Sequence, residues 1–123
     1  MEEPLRILAV DNEPTVTLSL GFVFAAPRYQ VTTVKSGQEA LAELDANPDS
    51  YDVIIVDQKM PNLTGTELVA AIQERGVTSK VVVLSAFLSH EIRAAYERMG
   101  VSVMFAKPFD VVELRTAVDG LVA

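Results

Sequence analysis

The chain has 123 residues, a formal charge of −7 at pH 7, no cysteine and one histidine, His90. Disulfides, thiolate metal sites and a histidine-rich zinc site are therefore excluded. The acidic balance repels nucleic-acid phosphate and anionic lipid, which leaves Mg²⁺ or a basic protein face as better-matched partners; most of the carboxylates serve solubility. Apolar residues make up 50% of the chain but fall in short runs, none near the ~18 residues of a membrane span. The start, MEEPLRI, lacks the basic and apolar segments of a signal peptide. A soluble cytoplasmic protein is expected, its residues 1–123 forming one domain large enough to bury roughly two-thirds of its unfolded surface.

Apolar strand and amphipathic helix alternate five times. Leu5–Val10 (LRILAV) reads as the first strand. A helix starts near Glu13, with Pro14 suited to its first turn. It carries Val16, Leu20, Val23 and Phe24 at helical spacing and stops at Ala26-Pro27-Arg28. Tyr29–Val34 (YQVTTV) alternates and is more polar, as an edge strand does. Ser36-Gly37-Gln38-Glu39 has the spacing of a capping box and opens a second helix with Ala40, Leu41 and Leu44 inward; Asn47-Pro48-Asp49-Ser50 closes it.

Val53–Val56 (VIIV) is a β-branched run, the pattern of a strand buried on both faces. Asp57 ends it, and Met60-Pro61-Asn62 is a loop because Pro61 cannot continue a ladder. Thr64-Gly65-Thr66-Glu67 is a second capping box, opening a helix with Leu68, Ala71 and Ile72 inward and Gly76 as C-cap. Val81–Leu84 is strand four, Ser89–Met99 helix four with Gly100 as C-cap, Ser102–Phe105 strand five, and Asp110 caps helix five. Such alternation predicts a parallel sheet covered on both faces.

The polar residues that interrupt this plan all follow strands: Asp11-Asn12 after the first, Asp57 after the third, Ser85 after the fourth, Lys107 after the fifth. In a parallel sheet those positions share one rim, where ligands bind at the reversal of strand order. Two close carboxylates, Asp11 and Asp57, repel unless a cation separates them, and an all-oxygen ligand set suits Mg²⁺. A carboxylate can also attack phosphorus to give an acyl phosphate. The phosphoryl oxygens then need a metal, a lysine and a hydroxyl donor, and Lys107 and Ser85 supply the last two.

With these pieces assembled, the chain resembles the receiver domain of two-component response regulators over essentially its full length. The matching stretches are VDNEP (Val10–Pro14), SGQEAL (Ser36–Leu41), DQKMPNLTG (Asp57–Gly65), LSA (Leu84–Ala86) and KPF (Lys107–Phe109). The resemblance implies an α/β flavodoxin-like fold with strand order 2-1-3-4-5. It implies that Asp57 accepts a phosphoryl group from a histidine kinase or a His-containing phosphotransfer protein. It further implies Mg²⁺ held by Asp11, residue 12, Asp57 and the carbonyl of Lys59, a phosphoryl contact from Lys107, a hydrogen bond from Ser85, and a cis Lys107-Pro108 bond.

Three features depart from the family pattern. Asn12 stands where a second acidic metal ligand is usual, so metal affinity should fall; Glu13 could compensate, although a first-turn helix Glu is the plainer reading. Met104 stands where the family has a rotating aromatic, so a switch pairing Ser85 with Met104 is expected to be softer. By the same resemblance Lys59 and Phe87 occupy the rim positions that tune acyl-phosphate hydrolysis, with Phe87 expected to shield the group and Lys59 expected to be solvated; His90 reads as a surface residue. A homodimer or output contact is expected through helix four, strand five and helix five, where Val101–Phe105 reads as an apolar edge with little cover. Two competing functions are a receiver-like module that takes no phosphate and a haloacid-dehalogenase-type phosphatase. The latter needs an Asp two residues beyond its nucleophile, where this chain has Lys59. No effector domain follows Val122-Ala123, so either a stand-alone regulator or a piece of a longer one is expected.

Overall fold

The computed structural model describes residues 3–122. In chain order the elements are β1 (Leu5–Val10), α1 (Pro14–Val23), β2 (Tyr29–Val34), α2 (Gly37–Ala46), β3 (Val53–Val56), α3 (Gly65–Glu74), β4 (Lys80–Ser85), α4 (His90–Arg98), β5 (Val103–Ala106) and α5 (Val111–Leu121). All strands pair in parallel, in the order β2-β1-β3-β4-β5. Strand alternation divides the core into two layers. Leu8, Val10, Ile54, Val56 and Val83 pack with Leu44 of α2, Leu68 and Ile72 of α3 and Tyr96 of α4. Ile7, Ala9, Val53, Ile55, Val82 and Leu84 face the other way, onto Leu20 and Phe24 at α1 and Leu114 and Val118 of α5. Among the described residues, no helix is long and apolar enough to cross a membrane.

Local chemistry sets the boundaries. At α3 both halves of the capping box form: Thr64 Oγ1 accepts from the Glu67 N–H, and the Glu67 carboxylate accepts from the Thr64 N–H. At α2 only one half forms. Ser36 Oγ accepts from the Glu39 N–H at 3.1 Å, but the Glu39 carboxylate takes the N–H of Lys35 instead, one residue earlier. Gly76 and Gly100 have φ of 70° and 84°, the left-handed conformation expected after a helix. Helix α1 ends earlier than its sequence suggests, with Phe24 as C-cap. Strand β5 begins one residue late because the Val101 N–H still bonds the Tyr96 carbonyl and keeps the chain in the α4 turn.

The bare apolar edge expected at β5 is covered. Val103 and Phe105 are half-buried against the α1–α5 layer, and Met104 against the layer of α2, α3 and α4. The exposed large apolar side chains lie elsewhere, among them Leu18 and Phe22 on α1, Phe87, and Val112 on α5.

Candidate functional site

The C-terminal ends of β1, β3, β4 and β5 meet at one rim, fixed by the backbone. The Asp57 N–H donates to the Val10 carbonyl at 3.1 Å, and the Lys107 N–H to the Ser85 carbonyl at 3.0 Å. Asp11 and Asp57 are 3% and 4% exposed, so two carboxylates are held nearly out of water side by side. Burial of this kind is tolerated only when charge is compensated.

One ammonium does most of that work. Lys107 Nζ donates to Asp11 Oδ2 at 2.7 Å and to Glu13 Oε1 at 2.9 Å, and stands 3.6 Å from Asp57 Oδ2. The Asp11 Oδ1 atom accepts from the Glu13 N–H at 2.9 Å, which sets the start of α1. Glu13 is the N-cap residue of α1 but makes no side-chain cap; its carboxylate turns to the site instead. The plainer expectation for Glu13, a first-turn helix residue, is thus replaced by membership of the cluster. Asp11, Glu13 and Asp57 each offer an oxygen within 4.8 Å of the others. This dense, all-oxygen donor set fits Mg²⁺.

The charges are unequal. Burial pushes the Asp11 carboxyl above its ordinary 3.8, against the Lys107 and Glu13 hydrogen bonds that pull it down, and the Asp57 charge adds to the rise. Burial works against the Lys107 ammonium, yet hydrogen bonds to Asp11 and Glu13 and the charges of Asp11 and Asp57 outweigh it and raise the group above 10.5. The lysine gains from the site, whereas for Asp11 burial outweighs the hydrogen bonds it accepts.

The remaining expected residues are more dispersed. Asn12 is exposed and, with Glu13, Asp57, Lys59, Ala86 and Phe87, lines a hollow of about 190 Å³ over the carboxylates. Lys59 is not simply solvated: its ammonium lies 4.3 Å from the Phe87 ring centroid, a cation–π contact. Ser85 is fully buried, its Oγ accepting from the Phe87 N–H at 3.2 Å. Met104 lies beneath the rim, in register with Val83 of β4. His90 is exposed at the start of α4, and the Lys107-Pro108 bond is cis. Two residues beside the site went unnoticed in the sequence: Gln58 and Tyr96, whose side chains hydrogen-bond each other. Their separation by 38 positions leaves no local pattern to find.

Comparison with known proteins decides the family. Residues 7–119 match the family described as "Response regulator receiver domain". The chain belongs to that family. It is 32% identical over 117 residues to the transcriptional regulatory protein GlrR of Escherichia coli (strain K12), covering 95% of this chain but 26% of GlrR. The chain therefore spans about a quarter of that relative. Sporulation initiation phosphotransferase F of Bacillus subtilis (strain 168) is 27% identical over 113 residues, covering 92% of this chain and 90% of its own length. The Vibrio cholerae chemotaxis protein CheY4 superposes with a TM-score of 0.86 at 27% identity, over 96% of this chain and 98% of that one. The receiver is thus a signalling domain with the flavodoxin-like arrangement of five parallel strands and five helices.

Proposed function

We propose that this receiver takes a phosphoryl group on Asp57 from a phosphohistidine of a histidine kinase or phosphotransfer protein, and releases it slowly as inorganic phosphate. The observation that carries the reading is the surplus of negative charge around the buried Asp57: Asp11, also buried, the more exposed Glu13 and Asp57 share one ammonium among the described residues. Asp11, Glu13 and Asp57, with the carbonyl of Lys59 and the amide of Asn12 at the same hollow, would hold Mg²⁺. When bound, the ion supplies neutralisation of the phosphoryl oxygens.

The residues divide the work by charge and position. Asp57 Oδ attacks phosphorus as the P–N bond to the donor imidazole breaks, and the departing nitrogen keeps the ring's electron pair and takes a proton from solvent. Lys107 can leave Glu13, its more exposed partner, to meet the new phosphoryl charge. The Ser85 hydroxyl, at the neighbouring strand end, would donate to a phosphoryl oxygen, and Met104 would follow it. Lys59 stacked on Phe87 would screen the acyl phosphate from water. The same stacked Lys59 occupies the position where a phosphatase of the haloacid-dehalogenase type needs its acid, so no turnover of phosphate esters is expected. A kinase-side partner and an output contact through α4, β5 and α5, including self-association, complete the proposal; the phosphotransferase name of the Bacillus relative supports the phosphoryl-transfer part of it.

The test is intact-mass analysis after incubation with acetyl phosphate and Mg²⁺. One phosphoryl mass is expected, lost in Asp57→Asn and in chelator. A wild type left unmodified by saturating donor and by its kinase would favour the phosphate-independent interaction module.

A further inference from the structure

Tyr96 of α4 is fully buried in the layer of α2, α3 and α4, and the end of its ring reaches the segment that follows Asp57. Its hydroxyl donates to Gln58 Oε1. The same oxygen accepts the N–H of Thr66 in the first turn of α3 at 3.0 Å, and the Gln58 carbonyl accepts the Gly65 N–H at 2.9 Å. Gln58 lies between Asp57 and Lys59, so one side chain ties the segment that carries the acceptor carboxylate to α3 and α4 together.

The niche for the phenol is built. A Cβ at Gly65 would overlap the Tyr96 hydroxyl and would also sit 2.6 Å from the Asp57 carbonyl oxygen and 2.9 Å from Gln58 Cα. Only glycine leaves room for the phenol and the segment to meet. Burial, and then the negative charge of Asp57, push the Tyr96 phenol upward from 10.0. The hydroxyl therefore stays a donor, and it stands where it feels the charge on Asp57. The other side chains joining the rim to this layer carry no comparable link. Met104 has no donor, and the Ser85 hydroxyl is engaged with the Phe87 N–H of its own loop.

We propose that Tyr96 is a positioning residue for the phosphoryl site: through Gln58 its hydroxyl holds the Asp57–Lys59 segment in place and couples the charge on Asp57 to α4. This rests on the reading of Asp57 as phosphoacceptor. A buried tyrosine needs a hydrogen-bond partner in any case, so a purely structural role would appear in stability and nowhere else. A positioning role also appears in metal affinity, in acyl-phosphate lifetime and in the response of α4.

The experiment uses the full chain with Tyr96→Phe, which keeps the ring and removes the hydroxyl, and with Gln58→Met, which removes the acceptor. Mg²⁺ affinity is read by calorimetry, acyl-phosphate decay by mass spectrometry, and the α4 response by amide chemical shifts on adding Mg²⁺ and beryllofluoride. In Tyr96→Phe, Mg²⁺ affinity should fall and the decay rate should change, each by roughly 3- to 10-fold, the effect of one hydrogen bond. The α4 shifts should shrink while those at Ser85 and Ala86 persist. Gln58→Met should behave alike, and the double variant no worse than either single one. Gln58→Glu keeps the acceptor and should retain the α4 shifts. A Tyr96→Phe protein that only melts lower, with wild-type affinity, lifetime and α4 shifts, overturns the proposal, as do single effects that add in the double variant. Should Tyr96→Phe fail to fold, Gln58→Met decides on the same readouts. A wild type that takes up neither phosphoryl nor beryllofluoride overturns the reading of Asp57 itself, and is seen before any variant is compared.

Discussion

The two rims of the sheet both carry acidic and basic side chains, but they balance them differently. At the N-terminal rim two carboxylates, Asp52 and Asp119, each have their own cation. Arg6 pairs with Asp52, which also accepts the Arg6 N–H at 2.9 Å, and Arg28 pairs with Asp119, which also accepts from the Tyr29 hydroxyl. These groups are part-exposed, and the hollow beside them is the roomier one, about 650 Å³ against about 190 Å³ over Asp57. At the C-terminal rim Asp11, Glu13 and Asp57 share Lys107, the one cation paired with them among the described residues, and two of the three are nearly dry. Matched pairs hold a fold together; a buried surplus of one sign is a site waiting for a counter-charge. Charge imbalance, rather than the size of a hollow, separates structure from function here.

The largest contrast comes from removing one carboxylate at each rim. Asp57→Asn should abolish phosphoryl incorporation. Asp52→Asn should leave it unchanged and lower stability by about 0.5 kcal/mol, the modest worth of a part-exposed pair. Loss of incorporation in Asp52→Asn, measured by intact mass, would break the comparison.

Next is Lys107→Ala. Stripping the shared cation from nearly buried carboxylates should destabilise the metal-free domain by about 3 kcal/mol, and Mg²⁺ should recover much of that loss. Urea unfolding with and without Mg²⁺ measures both halves; a loss that Mg²⁺ leaves untouched would mean the ion does not replace the ammonium. The fold should survive, while phosphorylation no longer shifts α4 and β5.

Smaller effects sharpen which acids belong to the metal set. Glu13→Gln should weaken Mg²⁺ binding by about tenfold, near the effect of one charge at close range. Asn12→Asp should tighten it, by about threefold because residue 12 is exposed, and should lower the melting temperature of the metal-free form by crowding a further carboxylate. Calorimetric affinities that leave Glu13→Gln unchanged would return the role to Asn12.

The smallest effect is in pH. Folded Asp11 binds its proton more tightly than the unfolded chain does, because burial raises it above 3.8. Its contribution to stability therefore rises as pH falls through the folded value and levels off below 3.8. In chelator, Asp11→Asn should be the more stable protein at neutral pH, and the gap should close as the solution is acidified. A gap that widens would mean that Lys107 compensates Asp11 fully.

Nearly all of the architecture is legible in the chain because its signals are local. Val53–Val56, the Thr64 capping box and the glycines at 76 and 100 each announce an element or its end within a few residues. The rim of Asp11, Asp57, Ser85 and Lys107 follows from topology alone, since parallel strands put their C-terminal ends together. What escaped reading depends on side-chain direction and long-range contact. Glu13 turns to Lys107 because it makes no cap, and Lys59 folds over Phe87 although 28 positions separate them. The Glu39 carboxylate chooses the Lys35 N–H over that of Ser36. The cover over Val103, Met104 and Phe105 depends on how α4 and α5 lie against β5, which an apolar run cannot specify.

The most direct measurement of the central claim is an amide chemical-shift titration with Mg²⁺, followed by beryllofluoride. The largest changes should gather at Asp11–Glu13, Asp57–Met60, Ser85–Phe87 and Lys107, and Arg6, Arg28, Asp52 and Asp119 should stay silent. Silence at Asp57, or changes centred on the opposite rim, would contradict the account.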